Sequence, residues 1–512
     1  MTVRVTTAAQ AAAMDERAIH AGTASYDLMR AAAARAVDVV RTRLGSELRS
    51  GVTVFAGVGN NGGDGYVVAA DLAAKGIAVR VVACGDPRTG DAKRAASELP
   101  AGIPVEHAPV RVADADSPGV IVDALLGTGA RGEPRDEIKD AILVVNALRA
   151  RGARVVSLDV PSGLDATSGA VPGACVRADL TVTFGSVKRG LLRDRDTTGA
   201  IIAVDIGLGA ASDEPRAPVL VGAAQALGKI PRIPADANKG TRRRLLIIGG
   251  AGGMAGAAIL AARGALRSGV GMVKVCVEQP SVAPIQAAVP AALTTVWPAD
   301  DTQLKEQLMW AHCVLIGPGL GLGTVSRDLA ARVLTQWRGP IVVDADALTA
   351  FEGNTARLGE LLAGRPAVIT PHAVEAQRLA GVAAADLDAG RFEAADRLAD
   401  RVKATVLLKG VPTVISNGSL TLVVAAGTPV LATGGSGDVL GGIVATLLAQ
   451  TADPMASASS AAWVHGRAAE IAGAGTVRGV MLDDIVDALR YAWTPPAALP
   501  DGVIADLAAT TT

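Results

Sequence analysis

A glycine-rich turn with paired amides opens the first candidate site. The segment GVGNNGGDG, residues 57 to 65, follows the apolar run VTVFA and precedes the helical stretch YVVAADLAAKG. Such a turn presents unpaired backbone N–H groups and the positive end of a helix dipole to an anion, usually phosphate. The alternative is a turn that only lets a strand pack closely on a helix. Asn60, Asn61 and Asp64 favour binding, because side chains with this hydrogen-bonding capacity are wasted on a simple turn.

Acidic residues end two further apolar runs in the same half. Asp123 ends VIVD and precedes a glycine-rich loop from Gly127 to Glu133, whereas Asp159 ends VVSLD with Ser162 and Asp165 just after. Taken alone, Asp159 could equally have a structural role as a helix cap or a turn residue. Carboxylates at two adjacent strand ends that face one phosphate loop indicate a bound cation or a proton transfer.

The second half carries a different turn, ATGGSGDVLGG at residues 432 to 442. It opens a helix with Asp438 in the first turn. The backbone amides of such a turn form an anion hole for a transferring phosphoryl group, and an aspartate beside it takes the proton from an attacking hydroxyl. The alternative is a glycine-rich helix start that Asp438 merely caps. No GxxxxGK[ST] segment occurs, which excludes a P-loop.

Parallel sheets are the elements that would position these turns. Runs rich in Val and Ile recur along the chain, each followed by a turn with glycine and an Ala-rich helical stretch; examples are VTVFAGVG, VIVDALLG and RVVSLDV, then LLIIGG, CVLIGPG and IVVDADAL. Continuous apolar strands between helices are typical of parallel sheets covered on both faces. The predicted fold class is therefore α/β, with two doubly wound domains and with ligands beyond the carboxyl ends of the strands.

Composition excludes several classes of protein. The 49 basic and 50 acidic residues are well mixed, so charge favours neither nucleic acid nor an anionic membrane as a partner. No apolar run reaches the ~18 to 20 residues of a membrane span. Charged residues from Asp15 to Arg17 interrupt the start before a secretory signal could form, so we expect a cytoplasmic protein. Four scattered cysteines without a CxxC pair argue against zinc and disulfides.

Length predicts more than one domain, because 512 residues exceed one ordinary hydrophobic core. A proline-containing segment without strong periodicity places the boundary near residues 212 to 225. We predict domains at residues 1–215 and 222–498. The Pro-, Ala- and Thr-rich tail after Trp493 is expected to be frayed.

The first half resembles the YjeF N-terminal family, the NAD(P)HX epimerases. GVGNNGGDG, DALLGTG, LDVPSGLDA and TVTFGSVKRGLL occur in the family's order, over about residues 8 to 210. The resemblance implies a Rossmann-like domain that interconverts the two epimers of hydrated NADH and NADPH. The substrate-binding residues that it implies are Asn60, Asn61, Gly62, Gly63, Asp64, Gly127, Thr128, Gly129, Ala130, Arg131, Gly132, Glu133 and Asp159.

The same resemblance implies a potassium ion bound by Asn61, Asp123 and Ser162. Hard cations prefer oxygen ligands, which these side chains supply. Asp159 is the expected acid/base group. Epimerisation at the hydrated ring carbon needs reversible loss of the hydroxyl or ring opening, and both routes need a group that moves a proton near neutral pH.

The second half resembles the YjeF C-terminal family, the ADP-dependent NAD(P)HX dehydratases of the ribokinase superfamily. The resemblance covers about residues 226 to 490 and rests on NKG at 238–240, IIGGAGGMAGAAIL, IGPGLG, VVDADAL, ITPHAVE, LLKGVPTVI and GGSGD. It implies a nucleotide site of Lys409, Gly410, Val411, Pro412, Thr413 and Gly437. It implies a hydrated-dinucleotide pocket of Ala257, Gly319, Gly321, His372 and Asp438, with Asp438 catalytic.

The implied reaction is phosphorylation of the ring hydroxyl by ADP, with ATP as the alternative donor, followed by elimination of phosphate. AMP and phosphate are the by-products, and phosphate leaves more readily than water. Mg²⁺ would neutralise the polyphosphate, with Glu375 and Asp344 as candidate ligands. Departures from the family pattern put nucleotide affinity in doubt; they are Ala373 and Val374 after TPH, Thr428 before a proline and Thr241 after Lys239 and Gly240.

Two other functions stay open at this point. In one, the second half is a vitamin or sugar kinase fused to a non-catalytic binding module. In the other, the first half is a protein-interaction scaffold, since fold alone does not assign function. The set of Asn61, Asp123, Asp159 and Ser162 argues against the scaffold, and the presence of both families in one chain argues against the kinase. The resemblance also predicts a homo-oligomer.

Overall fold

The computed structural model describes residues 2–109, 118–381 and 383–510. These form two compact units: unit 1 comprises Met1–Leu220 and Ala497–Thr512, and unit 2 comprises Val221–Pro496.

The strands and helices alternate along the chain. The strands are β1 (Val5–Thr6), β2 (Val52–Ala56), β3 (Val79–Ala83), β4 (Val105–His107), β5 (Val120–Ala124), β6 (Arg154–Leu158), β7 (Leu180–Phe184), β8 (Val187–Lys188), β9 (Ala200–Val204), β10 (Val219–Leu220), β11 (Arg244–Ile248), β12 (Met272–Val277), β13 (Leu293–Val296), β14 (Cys313–Ile316), β15 (Ile341–Val343), β16 (Ala367–Ile369), β17 (Thr405–Leu408), β18 (Thr413–Ser416), β19 (Thr421–Val424) and β20 (Val503–Leu507).

The α-helices are α1 (Ala8–His20), α2 (Ser25–Arg43), α3 (Asn60–Ala74), α4 (Gly90–Ser97), α5 (Asp136–Ala150), α6 (Arg189–Arg193), α7 (Arg195–Thr198), α8 (Ala223–Gly228), α9 (Ala255–Arg267), α10 (Val282–Ala288), α11 (Asp301–Trp310), α12 (Thr324–Gln336), α13 (Ala345–Thr349), α14 (Thr355–Leu362), α15 (Ala373–Ala380), α16 (Ala384–Ala389), α17 (Arg391–Val402), α18 (Ser436–Thr451), α19 (Pro454–Ala472) and α20 (Leu482–Ala492). Short 3-10 helices lie at Glu47–Ser50, Gly209–Ser212, Gln279–Ser281 and Pro429–Leu431.

The sheet of unit 1 has the order β4-β3-β2-β5-β6-β7-β9-β20. Every neighbouring pair from β4 to β9 is parallel. The chain moves outward from β2 to β3 and β4, then returns to place β5 on the other side of β2. The carboxyl ends of β2 and β5 therefore form a topological switch point, the edge where doubly wound sheets bind ligands.

Both faces of this sheet are buried, as the continuous apolar strands predict. Val54 and Val122 pack in a core with α2 and α3. Phe55 and Ile121, their chain neighbours, pack in a second core with α5. Successive strand side chains point to opposite faces, so two cores cover one sheet. The predicted α/β class is confirmed.

The tail is not frayed, which corrects the sequence-based expectation. Val503–Leu507 forms β20 and pairs antiparallel with β9. Ala505 is buried, and Asp506 forms an ion pair with Arg43 of α2. The strand VIADL covers the open hydrogen-bonding edge of β9, which outweighs the turn-forming composition of the residues before it.

In unit 2 the strand order is β19-β18-β17-β16-β15-β14-β11-β12-β13. The pairs from β17 to β13 are parallel, and β18 and β19 are antiparallel additions. The switch point lies between β11 and β14. All four residues from Leu245 to Ile248 are buried, so helices cover both faces here as well.

Two further expectations from composition can be compared with the structure. Within the described residues, no helix combines the length and the apolar character that crossing a bilayer requires. The four cysteines are free and buried. Burial raises the pKa of the Cys84 thiol to about 12, which leaves it unreactive as a thiolate.

Candidate active sites

The asparagine-glycine segment of unit 1 forms the start of α3 at the switch point. Its N-cap, Gly59, has no side chain to bond the first N–H groups, so these stay available to an anion. Gly62 has a second role. A β-carbon at Gly62 would overlap the carbonyl of Gly57, so helix and strand approach this closely only because residue 62 is glycine. The turn therefore both leaves N–H groups available to an anion and lets the strand and the helix pack closely.

Asn61, Asp123 and Ser162, the predicted potassium ligands, lie at this edge. Asn61 is 8% exposed and donates from Nδ2 to the carbonyl of Leu126 at 3.0 Å. Ser162 Oγ accepts from the N–H of Leu126 at 2.8 Å and donates to Asp123 Oδ1 at 2.6 Å. Asn61 Oδ1 is buried without a hydrogen-bond partner. An orphaned buried acceptor beside a carboxylate and a hydroxyl fits an oxygen-ligated cation.

Asp123 is completely buried, yet its carboxylate is well solvated by protein groups. Oδ2 accepts from Ser157 Oγ at 2.8 Å and from the N–H of Ser162 at 2.9 Å, and Oδ1 accepts from the N–H of Leu125 at 3.3 Å. Burial raises the pKa of Asp123, and these hydrogen bonds act in the opposite direction. A nearby cation would favour the ionised form.

Asp159, the predicted acid/base group, is held by three donors. Its Oδ1 accepts from the ammonium of Lys188, from Thr183 Oγ1 at 3.2 Å and from the N–H of Phe184 at 3.2 Å. Asp159 has a φ of 64°, the left-handed region that L-residues adopt at a cost. The strained backbone and the donors fix where the carboxylate points.

Lys188 is a site residue that the sequence reasoning missed. It is 2% exposed, and its Nζ also donates to Thr183 Oγ1 at 3.1 Å and to the carbonyl of Phe184 at 2.9 Å. A buried lysine without a carboxylate partner is strongly disfavoured. The available signal was the single Lys in the motif TVTFGSVKRGLL, four residues after β7 ends at Phe184.

The loop from Gly127 to Glu133 folds on itself beside α3. Ala130 N–H donates to the carbonyl of Gly127 at 3.1 Å, and Arg131 Nη1 donates at 2.8 Å to the carbonyls of Thr128 and Ala130. Arg131 thus braces the loop in this structure. Gly127 lies against Asn61, which joins the two predicted substrate segments. Space is open around Gly129.

In unit 2, the GGSGD turn forms the start of α18. The N-cap Gly435 has no side-chain cap, so the first turn leaves N–H groups for an anion, and Asp438 is in that turn. Burial raises the pKa of Asp438 to about 7, with Asp344 adding to the rise and Lys409 opposing it. A carboxyl with this pKa exchanges a proton at neutral pH.

Lys409 brings the predicted nucleotide loop to the same turn. Its Nζ lies 3.0 Å from Asp344 Oδ1 and 3.9 Å from Glu375 Oε2, and a β-carbon at Gly437 would lie 3.3 Å from that Nζ. Burial lowers the pKa of Lys409, but the two carboxylates outweigh it and the net shift is upward. The ammonium is charged and close to the α18 N-terminus.

The side chain of Arg391 holds the loop that follows Lys409. Arg391 Nη1 donates to the carbonyl of Lys409 at 3.2 Å and to that of Pro412 at 3.4 Å, and Thr413 Oγ1 donates to the carbonyl of Gly410 at 3.2 Å. Val411 stays exposed at the tip.

His372 acts as a helix cap. Its Nδ1 accepts from the N–H of Val374 at 3.1 Å and that of Glu375 at 3.4 Å, while Glu375 Oε2 accepts from the N–H of His372 at 2.8 Å. Burial, then Lys409, lowers the pKa of His372, which agrees with an accepting neutral ring. Only Nε2 would face a ligand.

Ala257, Gly319 and Gly321 meet at the β11 and β14 switch point. A β-carbon at Gly319 would lie 3.1 Å from that of Ala257, and Ala251 N–H donates to the carbonyl of Gly319 at 2.7 Å. Asp346 Oδ2 accepts from the N–H of Gly321 at 2.7 Å. Asp346 is a positioning residue that sequence reasoning did not single out.

Among the residues that the structure describes, no group of three or more His, Cys, Asp or Glu side chains could hold a metal ion. Asp344 and Glu375, the candidate magnesium ligands, are engaged by Lys409. These side chains do not form a magnesium site by themselves.

Fold and sites together define a class: a two-unit α/β enzyme in which each parallel sheet carries its own site at a switch point. The family described as YjeF-related protein N-terminus matches residues 25–190, and the family described as NAD(P)H-hydrate dehydratase matches residues 245–490. The predicted resemblance is thereby confirmed in both halves.

Relatives match along the whole arrangement. The bifunctional NAD(P)H-hydrate repair enzyme of Escherichia coli is 37% identical over 93% of this chain and 90% of its own length, and that of Hyperthermus butylicus is 35% identical over 87% and 84%. A Bacillus subtilis ADP/ATP-dependent NAD(P)H-hydrate dehydratase, solved with ATP and Mg²⁺, is 26% identical over 53% of this chain and 96% of its own, with a TM-score of 0.46. The chain belongs to the family of bifunctional NAD(P)H-hydrate repair enzymes.

Proposed function

We propose that this chain repairs hydrated NADH and NADPH in two steps. Unit 1 interconverts the R and S epimers, and unit 2 dehydrates the S epimer to NAD(P)H at the expense of ADP. The observation that carries the proposal is the occurrence of both families in one chain, matched to bifunctional relatives over nine-tenths of its length. An epimerase is useful beside an enzyme that consumes one epimer.

In unit 1 the substrate phosphates bind the start of α3 and the loop from Gly127 to Glu133. Asp159 transfers the proton that loss and return of the ring hydroxyl require. Lys188 holds this carboxylate in place and offsets its charge. Potassium, bound by Asn61, Asp123 and Ser162, would supply positive charge beside the substrate phosphates; the orphaned Asn61 Oδ1 supports this assignment.

In unit 2 Asp438 takes the proton of the ring hydroxyl as that oxygen attacks the terminal phosphorus of ADP. The new O–P bond forms while the bond to AMP breaks. Lys409 and the N–H groups of α18 hold the phosphates through this transfer. Phosphate then leaves with its electron pair, and loss of a proton from the neighbouring carbon restores the ring double bond.

The other predicted components have narrower support. Mg²⁺ at the polyphosphate stays a prediction from the resemblance, and no step is assigned to it. ADP over ATP, a homo-oligomer and a cytoplasmic location are likewise predictions from the sequence. The predicted domain limits, residues 1–215 and 222–498, are proposed as the extents of the two activities.

The test uses recovery of NADH absorbance from a mixed-epimer preparation of hydrated NADH, with ADP, ATP or no nucleotide added. We expect complete recovery with ADP. Recovery that stops near half would leave the dehydratase and refute the epimerase. Absence of recovery with either nucleotide would refute the proposal and favour the vitamin or sugar kinase.

A further inference from the structure

Helix α1 carries one acidic residue on the face that packs against unit 1. The buried residues of this helix are Ala8, Ala11, Met14 and Ala18. Asp15 lies four residues after Ala11 and three before Ala18, so the helical repeat places it on that same side. Asp15 is nevertheless open to solvent, as a residue that meets a ligand must be. It lies before the matched family segment, which begins at residue 25.

The strand before α1 is fastened beside the candidate epimerase site. β1 pairs in parallel with β8, and Thr6 is the register partner of Lys188. Thr6 Oγ1 and Ser186 Oγ lie 2.8 Å apart in a buried hydrogen bond, and Ala8 N–H donates to Thr167 Oγ1 at 3.0 Å. The start of α1 is therefore fixed next to the lysine that holds Asp159.

Lys188 forms an ion pair with Asp159, and its charge also acts on the carboxyl groups of Asp15 and Asp64. Although Asp15 as a residue is exposed, the protein around its carboxyl removes part of the hydration of that group and raises its pKa to about 6, with Lys188 opposing and Asp159 adding to the rise. Burial, then Asp159 and Asp15, raises the pKa of Asp64 well above its usual value. Asp64 and the orphaned Asn61 are three residues apart on α3 and share a helix face. One lysine cannot balance three carboxylates, so the cluster retains protons near neutral pH.

We propose that Asp15 is a second catalytic residue of the unit 1 site, which exchanges protons with the substrate in partnership with Asp159. This inference rests on the proposed epimerase function. Epimerisation removes the ring hydroxyl from one face of the ring and adds water to the other. Asp159, held in one orientation by Lys188 and Phe184, serves one face, and a second carboxyl serves the other.

The step balances with water alone. Protonated Asp15 gives its proton to the hydroxyl oxygen; the C–O bond breaks, water leaves, and the lone pair of the ring nitrogen forms a C=N bond. A water molecule then adds to the same carbon from the opposite face, and the π electrons return to nitrogen. Ionised Asp159 takes the surplus proton. The reverse epimerisation uses the two carboxyls in exchanged roles.

The test measures conversion of one isolated epimer of hydrated NADH by the full chain, without nucleotide, between pH 5 and 8. The uncatalysed rate is subtracted. Because the protonated form of Asp15 is the donor, the wild-type rate falls as pH rises through about 6. Asp15→Asn should lower kcat at least about 100-fold and abolish this fall. Asp15→Glu should retain the fall of the epimerisation rate with rising pH, but at a shifted pH.

Glu16→Gln is the matched control, since it removes a charge from the next, exposed position of α1 and should change nothing. ADP-dependent recovery of NADH from the S epimer should persist in Asp15→Asn, which shows a folded chain. If Asp15→Asn keeps the kcat and the pH dependence of the wild type, the catalytic role of Asp15 is refuted while the epimerase function stands. A wild-type chain no faster than the uncatalysed rate would overturn the epimerase function itself.

Discussion

Lys409 and Asp344 form an ion pair with Nζ 3.0 Å from Oδ1, although 65 residues separate them. Asp344 follows β15 and Lys409 follows β17, with β16 between them in the sheet. The side chain of Asp344 is 1% exposed, so Lys409 provides its main charge compensation. The ion pair therefore fixes the ammonium of Lys409, the proposed phosphate ligand, at the carboxyl edge of the sheet.

Replacing Lys409 should therefore affect both binding and stability. In Lys409→Met we expect a higher KM for ADP and a loss of about 3 to 5 kcal/mol of unfolding free energy, because a buried carboxylate loses its partner. Lys409→Met combined with Asp344→Asn should regain most of the stability but not the ADP affinity. Chemical denaturation and ADP titration measure the two effects. Lys403→Met, at an exposed position, is the control; equal losses there would refute the pairing argument.

Asp438 should give dehydration a characteristic pH dependence. Its pKa is raised to about 7 and its ionised form is the base, so the dehydration rate should rise with pH through about 7. Asp438→Asn should abolish dehydration and leave epimerisation intact. Asp483→Asn, which removes an exposed ion-pair partner, should keep the wild-type profile. A wild-type profile that is flat from pH 6 to 8 would contradict the role of Asp438.

Asp438 should also lower the free energy of unfolding at high pH. With the folded-state pKa above the unfolded one, the folded protein binds the extra proton between pH about 4 and 7, so the stability contribution is lost as pH rises through the folded value. At pH 8 we expect Asp438→Asn to be more stable than the wild type by at least about 1 kcal/mol. At pH 4 the two should unfold alike. Denaturant unfolding at both pH values measures this, and a less stable variant at pH 8 would count against a desolvated carboxylate.

Lys188→Met should disable unit 1 while leaving unit 2 active. The ammonium fixes Asp159 and is 2% exposed, so its removal frees the carboxylate and leaves it without its charge partner. We expect epimerisation to fall at least about 100-fold and unfolding free energy to fall by about 3 kcal/mol. Lys93→Met, which removes an exposed lysine of the same unit, is the control. Normal epimerisation in a folded Lys188→Met would show that Asp159 does not need Lys188 for its role.

The epimerisation rate should depend on potassium, and this dependence should require Asn61. Exchanging KCl for choline chloride at constant ionic strength should slow epimerisation and leave dehydration unchanged, since the proposed oxygen ligands of potassium belong to unit 1. In Asn61→Leu the remaining epimerisation should no longer respond to potassium. Titration of KCl against the initial epimerisation rate provides the measurement. An undiminished potassium response in Asn61→Leu would show that the ion binds elsewhere.

Two glycines of unit 1 should respond differently to alanine. A β-carbon at Gly129 meets no protein atom within 4 Å, so Gly129→Ala should fold normally and should raise the epimerase KM by narrowing the proposed substrate loop. Gly62→Ala should instead lower the melting temperature, because its β-carbon overlaps the carbonyl of Gly57. Thermal unfolding and epimerase KM separate the two effects. An unchanged KM in Gly129→Ala would exclude the loop from binding.

The sequence was sufficient where function depends on strand order and turn chemistry. Apolar runs between helical stretches predicted parallel sheets, and the glycine-rich turns predicted helix starts at their carboxyl ends. α3 and α18 begin there without side-chain caps, as an anion site requires. Local composition carries this information, because turns and helix starts are decided by neighbouring residues.

The contacts that aim the catalytic groups could not be obtained in this way. Lys188 meets Asp159, and Asp346 meets the N–H of Gly321, through packing between segments that are distant in sequence. His372 was predicted to line the substrate pocket, and the sequence did not indicate that its Nδ1 also caps α15. A single sequence does not reveal which side chains become neighbours across a sheet edge.

The alanine- and valine-rich pattern by itself determined that the chain folds into α/β units with parallel sheets, and it predicted helix starts at the carboxyl ends of the strands. Only the tertiary structure decided that β20 completes the sheet of unit 1 and that β1 lies beside the strand that carries Lys188. Both depend on register: β20 pairs with β9 from the far end of the chain, and Thr6 pairs with Lys188, which lies 182 positions further along the chain. Register is set by the packing of whole elements against one core, which no local pattern specifies.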